Sequence, residues 1–173
     1  MPLMYPELNS QVSLSEPLPQ FVPGSACAQC DVCCRFPESD SFLRPYFTRE
    51  EIDAAVAQGL SPSLFMDPAG SQIALVKDAG SDGYLCPAFD PATSRCGIYE
   101  HRPLDCQLYP LALMWSEDGT RIELGWDTKC PFMRDAVPRD IQRHADQVLS
   151  LLQRESTHQI LSSNPRLIGR YQD

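Results

Sequence analysis

The chain has 173 residues, with 14 basic and 23 acidic side chains, a net charge of −9, 43% apolar residues and 21% charged ones. That suits one folded domain with a hydrophobic core and excludes wholesale disorder. Its only lysines, Lys77 and Lys129, make it a poor polyphosphate ligand, so nucleic acid is not an expected partner. No apolar run approaches the roughly 18 residues of a membrane span. What departs from the norm is the content of 16 prolines and 8 cysteines.

Residues 1–24 hold Pro2, Pro6, Pro17, Pro19 and Pro23 and no helical period, which predicts an extended arm wrapped on the domain. Positively charged and continuous apolar stretches of the kind a secretory signal needs are missing here, so a cytoplasmic, reducing compartment is expected. In such a compartment thiols stay reduced unless a metal takes them.

Ser25 is placed to cap a short helix carrying the first four cysteines. Thr48 and Glu51 form a capping box ahead of Ile52, Ala55 and Val56, with Gly59 as the stop, and Ser61-Pro62 opens a further helical turn. Residues 71–77 read as one strand followed by a glycine-rich turn at 78–83. Residues 111–126 read as a β-hairpin turning at Asp118-Gly119. Arg102-Pro103 opens a short helix that delivers Cys106 from its first turn. The strongest helical period runs from Pro138 to Arg154, through Ile141, Val148, Leu149, Leu151 and Leu152. After Ser162 the tail is polar apart from Leu167, Ile168 and Tyr171. Residues 1–24 are thus an arm, 25–136 a cysteine-cluster domain, and 137–173 a helix and tail packing on it.

The cysteines fall into two groups. Cys27, Cys30, Cys33 and Cys34 make a C-x2-C-x2-C-C run, and the first three match the spacing of bacterial ferredoxin ligands. Adjacent side chains on a helix diverge by about 100°, so Cys34 is expected to serve a second site, to ligate another atom of a cluster, or to be packed. Cys86, Cys96, Cys106 and Cys130 are dispersed, and Cys86-Pro87 and Cys130-Pro131 are Cys-Pro pairs found around iron–sulfur clusters and in zinc loops.

These residues carry a resemblance. The C-x2-C-x2-C-C run, Cys86-Pro87 and the pattern C-x-I-Y-x-x-R-P-x-x-C-x-x-[FY]-P at Cys96–Pro110 resemble the CxxCxxCC cysteine-cluster family, the YkgJ-like zinc- or iron-chelating domains. The resemblance spans roughly residues 25–131 and implies a bound metal or cluster. The cysteine pattern also resembles that of a much longer flagellin lysine methylase linked to an iron–sulfur cluster.

All eight cysteines are candidate ligands, with an iron–sulfur cluster, 4Fe–4S foremost, or a zinc or iron ion as the cofactor. Three functions are open: a cluster protein serving redox, metal handling or a partner protein; a zinc-stapled interaction module; and a cluster-dependent modifying enzyme. The last lacks a recognisable nucleotide or S-adenosylmethionine site, and no small-molecule substrate is identifiable. Arg102 is a candidate to hydrogen-bond cluster sulfurs or thiolates, the alternative being an ion pair with Glu100 or Asp105. Tyr99 and Tyr109 are expected to pack around the site. His144 and His158 are expected on the surface or in packing, with His101 as a reserve ligand, and Asp31 and Asp105 as solvated charges. The expected fold is a small irregular α+β domain built around the cysteine-ligated centre, with helices and an antiparallel hairpin.

Overall fold

The structure, a computed structural model, describes residues 18–27, 30 and 32–169. Local chemistry sets its best-defined helix. Thr48 Oγ1 accepts the Glu51 N–H at 3.3 Å, and Glu51 Oε2 accepts the Thr48 N–H at 2.9 Å. That reciprocal capping box starts α2 (Arg49–Ala57), and Gly59, at φ +105°, turns the chain away after it. Ser61 caps the next turn, Pro62–Leu64, with proline in its first turn.

Strand β1 is Arg35–Phe36 and strand β2 is Tyr46–Thr48. The single strand expected at 71–77 is divided. Gly70–Gln72 forms β3 and pairs antiparallel with β2, whereas Val76–Lys77 forms β4 in another sheet. Between them Ile73 is fully buried and bridges to Phe65, so tertiary packing overrides the local run of strand formers. Strand β5 (Tyr84–Leu85) is the centre of an antiparallel sheet in the order β1-β5-β4. Strands β6 (Phe89–Asp90) and β7 (Arg95–Cys96) pair antiparallel, Phe89 opposite Cys96. Two-residue strands are too short to show a period of two, and the sequence reading missed them.

The hairpin forms as expected. Strands β8 (Leu111–Trp115) and β9 (Ile122–Trp126) pair from Leu111↔Trp126 to Trp115↔Ile122. Gly119 takes the left-handed conformation at φ +68° in the turn. Hydrogen bonds to Asp118 from Ser116 and Thr120 hold its carboxyl down at about 2. Leu111 and Leu113 point inward onto α3 (Leu104–Leu108), α5 (Pro138–Leu152) and α6 (Glu155–Ser163) in one apolar cluster with Leu18, Tyr46 and Val148. Helix α5 matches its expected span closely. Helix α6 was not expected: Thr157, Ile160 and Leu161 are buried at helical spacing, and the Thr157 hydroxyl ties the helix back to Leu151 O at 3.0 Å.

The chain is therefore a small α+β fold. A second apolar cluster, around Phe36, Phe47, Ile52, Phe65, Ile73 and Leu85, fills the space between α2 and the short strands. A third and smaller one joins Val22, Cys130, Met133 and Ile141 below helix α4 (Pro131–Asp135). Leu18 and Val22, in the last stretch of the proline-rich segment, are both buried; residues 1–17 lie outside the described residues.

Candidate metal centre

The four leading cysteines do not share one helix. Helix α1 (Gly24–Cys27) ends at Cys27, and the Cys30 N–H donates to Cys27 O at 3.0 Å, closing a turn between the two. Cys33 and Cys34 lie in a separate 3-10 turn, Val32–Cys34, which runs straight into β1. Their Sγ atoms are 4.0 Å apart. The two cysteines sit in a 3-10 turn and not in an α-helix, so the 100° divergence of adjacent helical side chains does not set their spacing. A 3-10 turn and side-chain rotation bring the sulfurs closer than ideal α-helical geometry suggests.

The later cysteines arrive on different elements. Cys86 follows β5, and its N–H donates to Cys34 O at 2.9 Å. Cys96 ends β7. Cys106 sits in the first turn of α3, as Arg102-Pro103 predicts. Cys130 is the N-cap residue of α4, ahead of Pro131. An Asp127 turn positions it: Asp127 Oδ1 accepts the Lys129 N–H at 2.8 Å, and Asp127 Oδ2 accepts the Tyr109 hydroxyl at 3.1 Å.

Electrostatics draws these thiols into one neighbourhood. Burial pushes the Cys27 thiol up, and the thiols of Cys33, Cys130 and Cys30 add to it, while the Arg102 charge pulls it back. A hydrogen bond with Cys33 and then burial push Cys34 far up, with Cys86 and Cys106 contributing. Burial raises Cys86 to about 11, with Cys96 and Cys33 close by. It also raises Cys96, which Arg102 offsets, and Cys106, beside Asp105, Cys86, Cys33 and Cys96. Cys33 acts on Cys27, Cys34, Cys86, Cys96 and Cys106 alike, so the leading motif joins the dispersed cysteines. Among the described residues no disulfide joins any of the eight cysteines, and no three histidine, cysteine or carboxylate groups stand at closed coordination spacing. The donors are gathered but not closed into a shell.

The donor set itself fits a soft, thiophilic metal. Thiols raised by burial stay protonated without a cation, and a thiophilic metal displaces those protons. Among the histidines, His144 is buried against Phe21, ring centroids 5.0 Å apart, and His101 and His158 are exposed. Burial lowers the His144 pKa.

Arg102 does not take the ion-pair alternative. Its guanidinium donates to Tyr99 O and to Gln20 Oε1, both at 2.8 Å, and stacks 4.0 Å over the Tyr99 ring. That clamp holds the cation where it acts on both Cys27 and Cys96. Sequence reasoning missed Gln20 and Asp127; only the turn-forming habit of Asp127 offered a signal. Asp105 is also corrected. Rather than a solvated charge, its Oδ2 accepts the Tyr46 N–H at 2.9 Å, and burial raises its carboxyl to about 6. Asp31 lies outside the described residues.

Fold and thiol cluster together define a small cysteine-rich metal-chelating protein. Residues 26–131, more than half of the chain, match the CxxCxxCC family, described as a putative zinc- or iron-chelating domain, and the chain belongs to that family. No curated protein and no solved structure matches it.

Proposed function

We propose that Cys27, Cys30, Cys33 and Cys130 hold an iron–sulfur cluster, 4Fe–4S in type, and that the protein uses it in electron transfer or metal handling with a protein partner in a reducing compartment such as the cytoplasm. The observation that carries the reading is the meeting of the C-x2-C-x2-C thiols with a remote Cys-Pro thiol. Cys27 lies in the electrostatic reach of Cys30, Cys33 and Cys130 at once. Three closely spaced thiolates completed by one from far along the chain is the ligand logic of ferredoxin clusters. The bound cluster would supply reversible one-electron chemistry. Around it, Val22, Met133, Ile141 and Tyr109 exclude water, and the Arg102 cation offsets thiolate charge, which stabilises the reduced, more negative state.

A zinc-stapled structural module is the second reading, and a specific observation favours it. Strands β1, β4, β5, β6 and β7 are two residues each, so the middle of the chain gains little from strand pairing, and a metal crosslink would stabilise it directly.

The two readings separate on the visible spectrum of anaerobically purified protein before and after dithionite. A cluster gives sulfide-to-iron absorption that bleaches on reduction and disappears in Cys130→Ser and Cys30→Ser but persists in His144→Ala. A colourless protein with bound zinc and no sulfide would overturn the cluster reading.

A further inference from the structure

We propose that the outer edge of β9 is a self-complementary interface, on which a second copy of this chain adds its own β9 antiparallel and makes one sheet across a twofold axis. The proposal does not depend on the metal reading.

The hydrogen bonds of the hairpin decide which backbone groups face outward. The Ser116 N–H donates to Arg121 O at 2.9 Å, and the Asp127 N–H donates to Pro110 O at 2.8 Å. These bonds bracket the β8–β9 register. The alternation of an antiparallel ladder then points Glu123 and Gly125 at β8 and turns the N–H and C=O groups of Ile122, Leu124 and Trp126 away from it. The far edge of β8 shows the same alternation with a partner in place: the Trp115 N–H donates to Gly169 O at 3.0 Å, and the Gly169 N–H donates to Leu113 O at 2.8 Å. The tail thus covers β8, whereas among the described residues no strand pairs with the outer edge of β9. An open edge of five residues is a template for a further strand.

Side chains choose the occupant. Ile122, Leu124 and Trp126 share a face with Leu111 and Leu113. On it, Trp126 and Trp115, the only tryptophans of the chain, are 53% and 37% exposed. Arg121, Glu123, Gly125 and Asp127 lie on the other face. With Leu124 on the twofold axis, Ile122 stands opposite the second copy's Trp126, Leu124 opposite its own copy, and Arg121 opposite the second copy's Asp127. Every apolar pair then exchanges both of its main-chain bonds, and Glu123 faces Gly125, which has no side chain. Arg121 is bonded to Glu123 at 2.8 Å with its side chain 74% exposed, and its guanidinium keeps donors for the second carboxylate.

Other registers are disfavoured by charge. Sliding the strands by two residues keeps the outward groups facing one another, but it sets Glu123 opposite Glu123 or opposite Asp127, carboxylate against carboxylate. One isologous register combines opposite charges at its ends with apolar pairs between them. It also gathers the exposed tryptophans into one row, because Trp115 pairs with Ile122 in the hairpin and Ile122 meets the second copy's Trp126 across the axis.

The test is sedimentation velocity of the anaerobically purified full-length protein over a range of concentrations, with amide hydrogen exchange read at single residues. Wild type should pass from monomer to dimer as concentration rises. The amides of Ile122, Leu124 and Trp126 should gain protection in step, while those of Glu123 and Gly125 stay protected throughout. Trp126→Lys removes the aromatic cross-strand pair on both sides of the axis and should weaken the dimer about tenfold. Arg121→Glu, which faces Asp127 with a like charge, should weaken it as well. Unchanged circular dichroism shows that the variants fold; where one does not, the wild-type exchange pattern decides alone. A wild type that stays monomeric at every concentration, a dimer without that protection pattern, or a dimer that both folded variants leave unchanged would overturn the proposal.

Discussion

Glu51 makes two bonds that hold distant parts of the chain together, and its loss has a calculable cost. Its Oε2 caps the Thr48 N–H at 2.9 Å and its Oε1 accepts the Leu104 N–H at 2.7 Å. Thr48 is 5% and Leu104 2% exposed, so neither donor finds water when the carboxylate is removed. Each buried, unpartnered donor costs about 1–3 kcal/mol, giving a gross loss of about 2–6 kcal/mol for Glu51→Ala. Part of this returns, because burial of the carboxylate and its repulsion of Asp105 already oppose folding. The net expectation is about 2–4 kcal/mol, or a fall in Tm of about 4–16 °C for a chain of this size. Glu51→Gln keeps one acceptor oxygen and should lose about half as much, and Thr48→Ala, a single capping bond, about 1 kcal/mol. Because Thr48 and Glu51 form one reciprocal cap, the double variant should cost less than the two singles summed. Urea unfolding of the metal-loaded wild type and all four variants measures these values. A Glu51→Ala protein within 0.5 kcal/mol of wild type, taking about that figure as the usual spread for surface changes, would refute the clamp.

Two further perturbations probe the same scaffold. The folded protein raises the Asp105 carboxyl to about 6 from an ordinary 3.8, so the native state keeps a proton that the unfolded chain gives up. Stability from this group is present at low pH and is lost as pH rises from about 4 to about 6; because Asp105 keeps part of its surface at solvent, the loss is about 1–3 kcal/mol. Asp105→Asn, which keeps an oxygen for the Tyr46 N–H, should flatten that slope in urea unfolding across pH 4–7 (roughly the window those values set), and an unchanged slope would contradict it. Gly70→Ala should destabilise by about 2 kcal/mol or more, because Gly70 sits at φ +144° and a Cβ there would strike the Tyr46 hydroxyl and approach Asn164 Oδ1 at 3.0 Å; a thermal midpoint equal to wild type would count against it.

Much of the helical framework was legible because its signals are local. The Thr48–Glu51 box, the Ser61-Pro62 start, the Asp118-Gly119 turn and the period of α5 each act within a few residues. What was hidden is long-range. The division of residues 71–77 follows from burial of Ile73 in one cluster with Phe47 and Phe65, and Asp105 differs from a solvated charge only because Tyr46 folds onto it. The thiol neighbourhoods are long-range in the same way. Spacing and family pattern marked all eight cysteines as candidates, but only the fold assigns Cys34 to the neighbourhood of Cys86 and Cys130 to that of Cys27. The Gln20–Arg102 bond joins residues 82 positions apart, and no sequence pattern announces such a pairing.

The account rests on the thiols holding metal, and the most direct measurement is the iron, zinc and acid-labile sulfide content per chain of the anaerobically purified full-length protein. The account predicts iron and sulfide in equal amounts. Protein that is fully folded, with all eight thiols titrating and neither metal present, would contradict it.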